Sequence, residues 1–239
     1  MFAYLGYGYY YYDPTLIFAL IGLVISLIAS FRVNSTFNKY SKVMSYSGMT
    51  GAMAAERILH SQGIYDVRIE HVSGKLSDHY DPRSKVLRLS DSTYNSKSVA
   101  AVGVAAHECG HAIQHAKGYG PLALRSALVP LAGIGSNLGY ILVIIGLFFT
   151  AGTGNVLITI GLIAFSMAVL FQIVTLPVEF NASGRAMTLL EQQGILGGEE
   201  LKSTRKVLSA AAMTYVAAAA TSILQLVRLI IIAGGRNRD

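Results

Sequence analysis

Long uncharged runs alternate along the chain with shorter polar connections, and that alternation predicts a set of membrane helices. Crossing about 30 Å of hydrocarbon as a helix takes roughly 20 apolar residues. Pro14 to Phe31 (PTLIFALIGLVISLIASF) is the first such run. The second extends from Ser126 to Thr150, with Pro130 as a potential kink, and the third from Val156 to Leu176. The fourth, Leu208 to Ala233, is alanine-rich and carries Arg228 near its end. It has two placements: across the bilayer with Arg228 snorkelling to the interface, or flat within the interface.

Between the first two runs the period changes. SGMTGAMAAERILHSQG reads as an amphipathic helix ended by Gly63. YDVRIEHV and SKVLRLS alternate as strands, with a turn at Asp81-Pro82 between them. Ser96 or Ser98 then caps a helix through VAAVGVAAHECGHAIQHAKG that stops at Gly118. The predicted fold is mainly α: a multi-pass membrane helical bundle with a small α+β, zincin-like catalytic unit.

Composition agrees with a membrane protein. Hydrophobic residues make up 53% and charged residues 13%, against about 25% charged in average soluble domains. That hydrophobicity excludes a disordered chain. The single cysteine, Cys109, excludes a disulfide scaffold. The net charge is +6, but the basic residues are dispersed rather than massed, which argues against nucleic acid.

Residues upstream of the first run hold six tyrosines (Tyr4, Tyr7, Tyr9, Tyr10, Tyr11, Tyr12) and no Lys or Arg. They read as an interfacial aromatic belt before an uncleaved anchor rather than as a signal peptide. Lys and Arg number twelve in residues 32–125, none in 151–155 and four in 177–206. The positive-inside rule therefore puts the N-terminus outside and both large connections inside a plasma membrane. Arg236 and Arg238, in a tail expected outside, conflict mildly with this topology.

The chemistry lies in His107-Glu108-Cys109-Gly110-His111, an HExxH motif on a predicted helix. Histidines four apart share one helix face, so both imidazoles can reach one tetrahedral zinc. Glu108 stands beside the first ligand, placed to take a proton from a water activated by the metal. The flanking AVGVAA predicts a buried helix, where unpaired His and Glu are costly. His115 continues the spacing but lies about 12 Å from His107, too far to share an ion. Cys109 is turned off the ligand face and reads as a packing residue.

A catalytic zinc takes a third protein ligand and a water. Candidates are His60, His71, His79, Asp78, Asp81, Glu179 and Glu191. Glu179 stands out by position, directly after the third run and two crossings from His111. It also fits the simpler role of a helix-start acid after Pro177.

HECGH, the upstream DHYDPRSKVLRLS, and LPVEFNASGRA together resemble the neutral zinc metallopeptidase family of the YugP type. More distantly, that family is similar to HtpX-like and prenyl-protein membrane proteases, whose third ligand is a Glu in an ExxxD arrangement. The resemblance implies that Glu179 is the third ligand of a single zinc. Ser183 stands where that pattern has Asp, so Asn181 or Ser183 is left to orient a ligand histidine. Arg185 is either an oxyanion stabiliser or a helix-surface cation. The KVLRL run is a candidate edge strand for binding extended substrate, with His79 or Tyr80 near the cleft. Asp78 to Pro82 equally suit a turn.

The expected organisation is an N-terminal belt and first helix (1–31) and a cytoplasmic catalytic region (32–125). A membrane hairpin (126–176), a third-ligand helix region (177–206), and a fourth apolar helix with tail (207–239) follow. The expected function is a zinc endopeptidase at the cytoplasmic face, acting on membrane proteins or peptides beside the bilayer. The competing readings are a zinc-binding adaptor without catalysis, which needs the histidines but not Glu108, and a transporter. The latter is disfavoured by the near absence of charge within the spans.

Overall fold

The structure, a computed structural model, describes residues 13–149 and 151–235. The tyrosine belt at 4–12 and the tail cations Arg236 and Arg238 lie outside the described residues.

The four apolar runs become helices α1 (Leu16–Tyr40), α4 (Gly120–Phe148), α5 (Ala151–Gln192) and α6 (Gly198–Gly235). All four are long and apolar enough to cross a membrane. Helix α6 packs antiparallel along α1. Thr221 Oγ1 donates to the Gly22 carbonyl at 3.1 Å, and Arg228 Nη2 donates to Asp13 Oδ2 at 3.0 Å. The fourth run is thus a partner of the first, and Arg228 is neutralised by Asp13 rather than snorkelling alone.

Helices α4 and α5 form a hairpin whose backbones touch. A Cβ on Gly135 would lie 2.1 Å from the Ala164 carbonyl oxygen, and one on Gly139 would lie 2.8 Å from that of Gly161. Lipid supplies no hydrophobic drive between helices, so small residues that permit close approach hold such pairs.

Helix α5 departs from the expected pattern. Its 42 residues span about 63 Å at 1.5 Å per residue, twice the hydrocarbon thickness. The sequence places a break at Pro177 and a new helix after it, yet the helix continues through Pro177. A proline removes one backbone hydrogen bond and costs about 3 kcal/mol. Packing of the following turns, where Val178, Ala182 and Ala186 are fully buried, outweighs that local preference. Glu179 is therefore a mid-helix residue, not a helix-start acid.

The polar region folds onto the projecting ends of α5 and α6. Helix α2 (Gly51–Ser61) begins at Thr50, whose side chain accepts from the Met53 N–H. Strands β1 (Arg68–Val72), β2 (His79–Asp81) and β3 (Val86–Ser90) form a sheet in the order β1-β3-β2. Strand β1 runs parallel to β3 and β2 antiparallel to it. This corrects the expected edge strand: KVLRL is central, and its Val86, Leu87 and Leu89 are all buried. The edges are β1 and β2, and β2, built from the residues that also suited a turn, is the one that meets the metal-centre helix through Tyr80. Helix α3 (Val99–Ala116) completes the unit. Ile58, Leu59, Leu87, Leu89, Ile113, Leu190 and Val207 share one core, so the unit is fused to α5 and α6 rather than tethered to them.

Candidate metal centre

Helix α3 carries the HExxH residues and is fixed at both ends. Of the two candidate caps, Ser98 acts: its Oγ accepts the Ala101 N–H at 3.2 Å. Gly118, at φ +61°, takes the left-handed conformation just beyond the last turn. Gly110 sets the approach to α5. A Cβ there would lie 2.5 Å from the Ala182 carbonyl oxygen, so only glycine lets the two helices come this close.

That approach brings Glu179 to the two histidines. His107 Nε2 and His111 Nε2 are 3.2 Å apart. Glu179 Oε2 lies 3.3 Å from the first and 3.5 Å from the second. An ion with tetrahedral bonds of about 2.0–2.1 Å spaces its ligands about 3.3 Å apart, so the three atoms match one face of such a tetrahedron. Glu179 is 2% exposed, and its Oε2 has no hydrogen-bond partner among the described residues. Its two imidazole contacts are close, but they lack hydrogen-bond geometry. A proton shared between the imidazoles can relieve only that pair and leaves a buried carboxylate oxygen unsatisfied, which is costly. A divalent cation satisfies all three, and two imidazoles with a carboxylate suit zinc.

The surrounding hydrogen bonds prepare the set. Gln114 is fully buried and donates from Nε2 to the Val178 carbonyl at 2.8 Å and to Asn181 Oδ1 at 3.0 Å. Because a backbone carbonyl can only accept, the orientation of the amide is settled. Gln114 Oε1 then accepts from His111 Nδ1 at 3.0 Å, which leaves a lone pair on His111 Nε2. His107 Nδ1 lies 3.0 Å from Ser183 Oγ. Of the two residues expected to orient a histidine, Ser183 does so directly and Asn181 acts through Gln114. Arg125 Nη1 lies 3.4 Å from Glu179 Oε1, holding that oxygen and turning the other toward the histidines. Burial disfavours protonation of His111, but the adjacent Glu179 carboxylate and the charge of Glu108 prevail and raise its pKa.

Glu108 is also buried, and its Oε2 accepts the Tyr80 N–H from β2 at 3.1 Å. Strand β2 pairs with β3 on one side and presents that N–H to helix α3 on the other. Tyr80, expected near the cleft, reaches it through its backbone; its hydroxyl meets His115 Nδ1 at 2.9 Å. His79 instead turns its Nδ1 to the Ser77 carbonyl.

The remaining candidate ligands are engaged elsewhere. His71 pairs with Asp91 at 2.6 Å, Asp78 holds Ser90, and Asp81 accepts from Arg83 and Ser84. His60 packs on Tyr65, and Glu191 is exposed. Cys109 is a buried packing residue with its thiol toward the Ala55 carbonyl. Arg185 donates to Asn181 at 2.7 Å and lies over the Tyr119 ring, so it braces the network rather than facing the ligand atoms. Gln114, Arg125 and Tyr215, which lies near Glu179, Glu108 and Arg125, were not legible as site residues. Gln114 had one signal: it follows His111 by three residues, on the same helix face.

A sequence family described as "Putative neutral zinc metallopeptidase" matches residues 15–234. The chain belongs to this family. It is also 47% identical over 221 residues to "Putative membrane protease YugP" of Bacillus subtilis (strain 168), an alignment covering 92% of this chain and 97% of that protein. No solved structure matches the chain. The match to this zinc metallopeptidase family runs from just before α1 to one residue short of the end of α6, and zinc is the metal its description names. His107, His111 and Glu179 are the one group of three or more His, Cys, Asp or Glu residues among the described residues that could hold a metal ion.

Proposed function

We propose that the protein is a membrane-bound, zinc-dependent endopeptidase that hydrolyses peptide bonds of membrane or membrane-proximal proteins. The observation that carries this reading is the combination of the ligand triangle with a buried Glu108 directly beside a ligand histidine. His107, His111 and Glu179 would hold one zinc. Bound there, zinc lowers the pKa of water towards about 7 and polarises a carbonyl.

The protein's own groups do the rest. Glu108 takes the proton from the attacking water and passes it to the leaving nitrogen, with the Tyr80 N–H holding its carboxylate in place. Gln114 and Ser183 fix the imidazoles, and Arg125 orients Glu179. A zinc-binding adaptor requires the histidines and Glu179 but no general base, so a buried carboxylate next to a ligand histidine supports the enzyme.

Glu108→Gln is the direct test. The variant is expected to bind zinc as the parent does while losing about 10²–10⁴ in peptide-cleavage rate, read by comparing the termini of cleaved membrane proteins. Unchanged cleavage would refute the mechanism.

We further propose that the site faces the cytoplasm across the plasma membrane. The support is the placement of twelve and four Lys and Arg residues in the two connections that meet at the site, against none in residues 151–155. In a Cys109→Ser background, external maleimide should label a cysteine at Thr153 and spare cysteines at Ser84 and Ser203. External labelling at 84 and 203 instead would invert the topology, and labelling from opposite sides would separate the ligands.

A further inference from the structure

A second polar site lies between the C-terminal end of α1 and the N-terminal end of α6. Arg32 and Lys39 lie seven residues apart on α1, two turns of one face. Lys202, Arg205 and Lys206 sit on one face of α6. The antiparallel packing sets these faces opposite one another around a cavity of about 760 Å³ that all five cations line.

No carboxylate lines this groove. Lys202 pairs with Glu199 at 2.6 Å, and Glu199 is also near Lys206. Lys39 lies over the Tyr40 ring. Among the described residues, no ion pair or hydrogen bond engages Arg32 or Arg205. On the sheet, by contrast, the cations are matched: Lys85 with Asp66, and Arg68 and Arg88 with Glu70. Like charges gathered without counter-charges repel one another, and an anion between them removes the repulsion.

The location narrows the anion. Arg32 immediately follows the uncharged run of α1, and Lys206 immediately precedes the apolar part of α6. The groove therefore sits at the boundary of the hydrocarbon, whichever side it faces. One turn deeper the surface is apolar and bare: Ile28 and Phe31 on α1 are 58% and 76% exposed, and Met213 on the groove wall is 47% exposed. A cationic groove continued by an apolar ledge matches a molecule with an anionic head and hydrocarbon tails. Basic pockets between spanning helices bind anionic lipid headgroups for this reason.

We propose that the α1–α6 groove binds an anionic phospholipid, its phosphate among Arg32, Lys39, Arg205 and Lys206 and its acyl chains against Ile28 and Phe31. This inference does not depend on the peptidase reading.

Native mass spectrometry of the detergent-solubilised full chain can test it, with dioleoyl phosphatidylglycerol, dioleoyl phosphatidylcholine and inorganic phosphate as probes. Phosphatidylglycerol adducts should persist where phosphatidylcholine adducts are stripped, and each neutralised groove cation should weaken binding about fivefold. The variant Arg32→Gln, Lys39→Gln, Arg205→Gln, Lys206→Gln should lose the adduct. A control with Arg68, Arg83, Lys97 and Lys117 changed to Gln should keep it. Equal retention of the two lipids, or full retention by the groove variant, would overturn the proposal. So would inorganic phosphate binding with no lipid preference, which would mark a free-anion site. Should the groove variant not fold, photoactivatable phosphatidylglycerol on the parent supplies the test. Labelling of residues 27–39 and 202–213 is expected, and labelling confined to other segments would refute the site.

Discussion

The two halves of α5 belong to one unbroken helix but are held by opposite means. Up to about Leu176 it packs on α4 through glycine-to-backbone contacts, while Val156, Ile160, Ile163 and Ile173 point outward, exposed and apolar. Beyond Pro177 it packs on α3 and α6 with Val178, Ala182 and Leu190 buried, and among them lie Glu179, Asn181 and Ser183. The first half needs only close approach, because lipid solvates its outer face. The second half buries a carboxylate and an amide network, which is tolerable only where nearly every polar atom is partnered. The exception, Glu179 Oε2, is where a cation belongs.

One kind of substitution should affect the two halves differently. Gly110→Ala places a methyl 2.5 Å from the Ala182 carbonyl oxygen, so α3 must move off α5 and the ligand triangle opens. The expected outcome is a folded protein that no longer retains zinc through dialysis against a weak chelator. Gly139→Ala, which meets the Gly161 carbonyl oxygen and Phe165 nitrogen at 2.8 Å, should instead cost about 1–3 kcal/mol of stability with zinc content unchanged. Thermal unfolding in detergent and metal analysis on both variants decide the matter. Identical behaviour would dissolve the distinction between the halves.

A smaller effect is expected at the network. Gln114→Ala removes the acceptor that fixes His111 Nδ1–H, and losing a partner of this kind typically weakens metal binding 10–100-fold. Ser183→Ala, which removes one contact to the less buried His107, should cost less. A competitive zinc titration with a chromophoric chelator measures both. A Gln114→Ala variant with the parent's affinity would mean that the amide chain does not prepare the ligand.

The sequence was most readable where chemistry and period coincide. HExxH on a helical face and Glu179 two crossings later carried the candidate ligand set, and the uncharged runs carried the four long helices. Three features were hidden for physical reasons. Continuity through Pro177 depends on burial of the following turns, which local propensity does not contain. The edge position of β2 depends on strand order, and three residues are too few to show a period. Arg125 looked like a topological charge, and its contact with Glu179 arises only when α4 and α5 pack. Gln114 and Tyr215 likewise become site residues through tertiary contact.

The central claim is that Glu179, carried on the projecting half of α5, completes the metal centre with the two histidines of α3. Metal analysis of the purified full chain against Glu179→Ala, after dialysis against a weak chelator, addresses it most directly. The parent should retain one zinc per chain, and the variant, with a ligand position open, should release it. Stoichiometric zinc in a folded Glu179→Ala protein would contradict the assignment and require a different third ligand.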